Sequence, residues 1–341
     1  MMLSNDGIVL LAKEAGLTSF AALNNVKKSL NTGKVGHTGT LDSFAQGLLV
    51  VCTGRLTKLA GQITEFDKSY SAVIKFGQET DTLEFTGQTV KKAPLPSLEA
   101  LKKALTAFTG DLLQSPPAYS AIHVDGQRAS ELARKGIEVE IPKRKITVFS
   151  AQLMEAECLP GTENVLYARI NFSVSKGTYI RCLARDIGAA CGSAAHLTGL
   201  LRTKVGNFNL KDAAGFSFLK EFTISSVKKN VEEYFSKNEA EIKKGPYIPS
   251  EKDLLIQEEI RQKIQGFSEE TSLLCGFENV YLKNESCLSD FRNGKKLLFS
   301  MFTGYISCDR EKTLAAFYEK SFSGLIEALP SKKLKYKFVI N

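Results

Sequence analysis

The spacing of apolar residues predicts strands and helices by turns along this chain. Ile8-Val9-Leu10-Leu11-Ala12 is a short apolar run and reads as a first strand over residues 7–12. A helix is expected to start near Thr18 or Ser19, because Phe20, Leu23, Val26 and Leu30 recur at helical spacing on one face. Leu48-Leu49-Val50-Val51-Cys52 suits a buried strand, and the segment from Tyr70 to Phe76 has strand-like composition. Ser97 caps a second helix with Leu98, Leu101, Leu105 and Phe108 on one side and Gly110 as its stop. Leu166, Ala168, Ile170, Phe172 and Val174 alternate with polar residues, a period-two strand. From Thr178 onward the period becomes helical, with Ile180, Leu183 and Ile187 facing a core.

After Phe222 the pattern turns polar. Ser226 to Lys244 predicts a polar helix, and Gly245-Pro246 and Ile248-Pro249 break it. Short apolar runs resume later, at Val280-Tyr281-Leu282, Leu297-Leu298-Phe299, 314–318 and Phe338-Val339-Ile340. The expected division is therefore a large domain over 1–244, a linker over 245–266 and a small C-terminal domain over 267–341. No internal repeat and no low-complexity tract is visible.

At 341 residues the chain can bury a sizeable core. A net charge of +8 permits nucleic-acid binding without requiring it. The cations are spread along the chain, which suggests a folded basic face rather than a tail. Lys27, Lys28 and Lys34 fit either a solvated helix face or phosphate contacts, and so does the stretch holding Arg128, Arg134, Lys135, Lys143, Arg144 and Lys145. Seven cysteines without a C-x-x-C pair read as reduced thiols of a cytoplasmic protein. Three histidines far apart in sequence make a zinc site improbable, and no metal is expected. The apolar run near the N-terminus is too short for a signal-peptide core or a membrane span.

Candidate chemistry concentrates at residues 36–42, Gly-His-Thr-Gly-Thr-Leu-Asp, just before the buried run that starts at Leu48. A phosphate loop is excluded, because Lys28 stands where it needs Gly and Val35 where it needs Ser or Thr. A dinucleotide fingerprint is excluded by the spacing of the glycines. Local pattern alone makes Asp42 a turn-former or a helix cap. The stretch, however, closely resembles the signature loop of the TruB family of tRNA pseudouridine-55 synthases, in which this Asp is the essential catalytic residue.

Further blocks carry the resemblance in order through residues 7–210. Lys13-Glu14-Ala15-Gly16-Leu17-Thr18-Ser19 is similar to the family's K-P-x-G-x-T-S, with Glu14 in place of Pro. Lys68, Tyr70 and the run from Gly77 to Gly87 match K-x-Y and G-x-x-T-D-T-x-x-x-x-G. The run from Gln114 to Ala121 matches Q-x-P-P-x-Y-S-A, after which His123 and Ala129 depart from the usual Lys and Tyr. The longest match starts at Lys176 and includes Tyr179 and Arg181. A closing L-R-R-T-x-x-G-x-F block has Leu201 for its first Arg.

The resemblance implies an α+β pseudouridine synthase fold, with a large mixed, mainly antiparallel sheet flanked by helices and a small β-rich PUA-like C-terminal domain. It implies isomerisation of uridine at position 55 in the TΨC stem-loop of tRNA. The glycosidic bond breaks, the uracil turns and C5 joins C1′, so no redox change occurs and no cofactor is demanded. Asp42 would act at the ribose, either as a nucleophile or by removing a C2′ proton, with Arg181 supplying the opposite charge. Tyr70 would stack on the flipped base. Tyr179 would contact the base or the intermediate, Leu200 would line the uracil pocket, and His37 would hold displaced RNA. A monomer needing no protein partner and no membrane is expected. The competing reading is a non-catalytic RNA-binding or tRNA-folding protein on the same scaffold.

Overall fold

The computed structural model describes residues 5–117, 119, 123–124, 127–128, 141–236 and 249–340. Among these, a large sheet contains β1 (Gly7–Lys13), β2 (Val35–His37), β3 (Gln46–Thr53), β4 (Lys68–Phe76), β5 (Gly110–Gln114), β6 (Arg144–Cys158), β7 (Val165–Val174), β8 (Ala195–Val205) and β9 (Phe208–Asn209). The spatial order is β1-β3-β8-β4-β7-β6-β5, with β2 added to β3 and β9 to β8. Pairing is antiparallel except between β3 and β8, which run parallel through Leu201 opposite Gln46 and Arg202 opposite Gly47. The sheet is thus mixed and mainly antiparallel.

The apolar runs at β1 and β3 are buried along their whole lengths, because helices or the C-terminal unit cover both faces. One core lies between the sheet and two helices, α2 (Leu98–Ala107) and α3 (Ile180–Ala190). There Leu101, Leu105, Ile180, Leu183 and Ile187 are all buried, as their spacing predicts. A second core joins β1 and β3 to α1 (Ser19–Ser29). Helix α4 (Ile224–Ser236) places Val227 against Gly199 and Val73, on another part of the sheet.

Helix α1 departs from expectation at Phe20, which is 68% exposed with the Lys27 ammonium 4.4 Å from its ring centre. Ser19 and Ala22 turn inward with Leu23 and Val26 instead. The cause is polar: Ser19 Oγ accepts a hydrogen bond from Leu41 N at 2.8 Å and donates to Leu41 O at 3.0 Å. That pair of hydrogen bonds sets the rotation of the helix. Residues 251–263, within the expected linker, form helix α5 (Glu251–Lys263). It packs on α1, where Asn25 bonds both Asp253 and Gln257.

The C-terminal residues build a second sheet from β10 (Glu278–Leu282), β11 (Phe302–Thr303), β12 (Lys312–Tyr318), β13 (Ser321–Leu329) and β14 (Lys333–Val339), in the order β11-β10-β12-β13-β14. It shares a core with the large sheet, where Phe267, Phe277, Phe317 and Leu325 join Leu48, Val50, Cys52 and Phe208. Helix α4 ends the described part of the expected 226–244 helix at Ser236, and residues 237–248 lie outside the described set. So do Ala129, Arg134 and Lys135, and the side chains of His123 and Arg128. No helix among the described residues is long and apolar enough to cross a membrane.

Candidate active site

The loop carrying Asp42 leaves β2 and returns as β3, and its backbone is held at almost every step. Thr38 N donates to Val50 O at 3.0 Å, and Gly16 N to Ser43 O at 2.8 Å. Two buried cations grip the loop's carbonyls. Lys13, 1% exposed, donates from Nζ to Ala45 O (2.5 Å), Leu17 O (2.7 Å), Glu14 O (3.0 Å) and Ser43 O (3.4 Å). Arg202, also buried, donates to Leu48 O (2.7 Å), Gly39 O (3.1 Å) and Thr40 O (3.4 Å). Hydrogen bonds from charged donors contribute about 1.5–3 kcal/mol each. The loop is therefore pinned on both sides of its acidic residue before any ligand arrives. Burial pushes the Lys13 ammonium down to about 8, partly opposed by the nearby Asp42 carboxylate.

Asp42 projects from this fixed loop with its side chain 35% exposed. Arg181, on the first turn of α3, brings Nε to 3.2 Å from Asp42 Oδ2, with only 7% of its side chain exposed. The Nε–H is not aligned for a hydrogen bond, so the contact is an ion pair. Arg181 is fixed by its other nitrogens, Nη1 donating to Thr82 O and Nη2 to Tyr119 O, both at 2.9 Å. Glu84 Oε2 stands 3.9 Å from Nη1. Burial raises the Glu84 carboxyl above its ordinary range, partly opposed by a hydrogen bond from Thr86 and by the Arg181 charge. One guanidinium therefore sits between two carboxylates, only one of which opens substantially to solvent.

The remaining expected residues lie on neighbouring elements. Tyr179 is the residue before α3, and Gln114 clamps its backbone: Tyr179 N donates to Gln114 Oε1 (2.9 Å) and Gln114 Nε2 donates to Tyr179 O (3.1 Å). Leu200 sits opposite Ala72, and Tyr70 opposite Arg202, across the β8–β4 pair. Tyr70, Leu200, Leu41, Phe44 and Ile180 share one apolar cluster, so the loop, two strands and a helix meet there. His37 ends β2 opposite Val51. Burial, and then the Arg202 charge, lower its pKa, and its Nδ1 is buried without a hydrogen-bond partner. A cleft of about 400 Å³ adjoins the loop, lined among others by Ser43, Phe44, Gln46, Phe85, Leu200 and Tyr234. Among the described residues, no three His, Cys, Asp or Glu side chains converge to hold a metal.

The family model described as TruB family pseudouridylate synthase (N terminal domain) matches residues 27–180, which include the Asp42 loop, Tyr70 and Tyr179. The tRNA pseudouridine synthase B of Treponema denticola is 42% identical over 315 residues, covering 89% of this chain and 87% of that protein. The chain belongs to the TruB family of pseudouridylate synthases. Another similar protein, the tRNA pseudouridine synthase B of Borreliella burgdorferi, is 42% identical over 251 residues, 72% of this chain and 87% of the relative. Among solved structures, a Cbf5-Nop10-Gar1 complex contains a chain with a TM-score of 0.64 and 22% identity, covering 98% of this chain and 85% of the other. That likeness is one of fold, and it includes the C-terminal sheet. This TruB-family member is an isomerase with the pseudouridine synthase fold.

Four residues that hold the site were not singled out by sequence: Glu84, Lys13, Arg202 and Gln114. Glu84 lies in a variable position of its motif, so only its approach to Arg181 reveals it. Lys13 and Arg202 stood inside matching blocks with no role given to them, and their burial against carbonyls is a tertiary fact. Gln114 opened a matching block, a signal that could have marked it. Asp81, a motif residue, closes a turn by accepting from Thr82 N and Gln88 N.

Proposed function

We propose that this protein isomerises uridine to pseudouridine in tRNA, at position 55 of the TΨC loop, with Asp42 as the reacting carboxylate. The observation that carries the reading is the Asp42–Arg181 ion pair, mounted on a prefixed loop in a TruB-family chain. The chemistry conserves atoms. The C1′–N1 bond breaks, the uracil turns while bound, C5 bonds C1′, the C5 proton leaves to water, and N1 takes up a proton from water. One carboxylate at the ribose serves this, because uracil departs as a delocalised anion rather than needing the proton donor of a glycosidase. Arg181 orients that carboxylate with a planar guanidinium that is itself fixed by two carbonyls.

In this reading the target base leaves its stack, at a cost of a few kcal/mol. Tyr70 then offers a ring face to it, Tyr179 contacts the base or the intermediate, and Leu200 keeps water from the pocket. His37 takes the displaced RNA against its ring. The test is incubation of unmodified tRNA with purified protein, followed by mapping of the modified nucleotide. Pseudouridine at position 55 alone is expected. Modification elsewhere refutes the site assignment, and binding without C5 proton release points to the non-catalytic alternative.

A further inference from the structure

Arg144 opens β6 directly opposite Gln114 of β5. These two neighbours hold Tyr179 in different ways: Gln114 takes its backbone, and Arg144 lays its guanidinium over the ring, 4.5 Å from the centre. Gly177 lies beside that arrangement, in the left-handed region. Its φ is +76°, and a Cβ placed there would lie 3.5 Å from Arg144 Nη1. A planar cation on a ring face is attracted by the ring quadrupole and restricts the ring's rotation.

Arg144 also lacks an ion-pair partner among the described residues. Arg55, Arg169, Arg181, Arg185 and Arg261 each face a carboxylate. Arg202 has its three carbonyls. Arg144 has neither a carboxylate nor a hydrogen-bond acceptor among the described residues, and its Nε is buried without a partner. Leaving a desolvated charged donor unsatisfied is costly. Such a group makes physical sense where a ligand brings the anion, and the substrate of this site carries one phosphate per nucleotide.

We propose that Arg144 is a phosphate-binding and positioning residue: its free N–H groups take a backbone phosphate of the bound RNA, while its face fixes the Tyr179 ring. Seating the RNA strand then immobilises the guanidinium, and the guanidinium immobilises the ring. The proposal rests on the reading of Tyr179 as a substrate-contact residue.

Two variants test it, Arg144→Met and Arg144→Lys, each compared with the wild type for tRNA binding across a salt series and for single-turnover pseudouridine formation. Methionine keeps an apolar stem without the guanidinium or its charge. It should raise the dissociation constant about tenfold, and flatten the plot of log Kd against log salt by about 0.7–0.9, the loss of one phosphate contact. Lysine should retain the slope yet slow single-turnover formation at saturating protein about tenfold, because an ammonium does not cover the ring. A wild-type slope and affinity in Arg144→Met would overturn the phosphate contact, and a wild-type rate in Arg144→Lys would overturn the positioning role. The binding series reads the contact independently of turnover, so absence of pseudouridine from the wild-type reaction would sink the proposed function alone.

Discussion

Replacing Arg181 by lysine separates charge from geometry at the centre of the site. The guanidinium bonds Thr82 O and Tyr119 O while its Nε lies 3.2 Å from Asp42. A lysine ammonium is a single point and cannot occupy those three positions together. If it settles on the carbonyls, Asp42 loses its partner. Charges 3.2 Å apart attract by roughly 5 kcal/mol at an effective dielectric of about 20. Solvent reaches 35% of the Asp42 side chain, so screening brings the figure to about half, ~2.5 kcal/mol. If that energy is what orients the carboxylate for reaction, Arg181→Lys should slow the chemical step ~10²-fold. The assay is single-turnover release of tritium from C5-labelled uridine in tRNA at saturating protein, with tRNA affinity measured separately. Affinity should stay within a few-fold of the wild type. A rate within threefold of the wild type would refute the claim that guanidinium geometry governs Asp42, and an unchanged rate with lost affinity would make Arg181 a binding residue only.

Asp42→Asn should abolish turnover while tRNA binding stays within a few-fold; collapse of binding in a filter assay would instead make Asp42 structural. Lys13 gives a pH signature. Its folded-state value of about 8 lies below the ordinary lysine value of 10.5, so between those values the unfolded chain holds a proton that the folded chain lacks. Stability relative to a Lys13→Met variant should therefore rise with pH through that window, by ~3 kcal/mol at most, in paired denaturant titrations at pH 7.5 and 10; a flat or falling difference counts against burial of the charge. Gly47→Ala should destabilise the fold by about 3 kcal/mol or more, because its φ is +120° and the added Cβ would lie 2.4 Å from Arg202 O. A thermal midpoint within 2–3 °C of the wild type, a shift of order 1 kcal/mol for a chain of this size, would show that the parallel pairing of β3 and β8 can give way.

Much of this molecule was written locally. Continuous apolar runs marked β1 and β3, and periodicity marked α1, α2, β7 and the start of α3, each within a residue or two, because burial on two faces demands an unbroken apolar run and burial on one face a period. The Asp42 loop and the segment around Arg181 were legible as motifs, since each is a contiguous stretch whose residues act together. The inward turn of Ser19 and outward turn of Phe20 were not legible, because a hydrogen bond to Leu41, far along the chain, decided the helix's rotation. The buried grips of Lys13 and Arg202 and the second carboxylate of Glu84 were hidden for the same reason. A cation's burial and a carboxylate's partner depend on where distant strands place their carbonyls and charges. Sequence therefore determined which chemical groups this protein owns and which elements carry them. Only the closing of the sheet decided that one arginine would stand between two acids, because the electrostatic work of such a site falls off with distance in space and not along the chain.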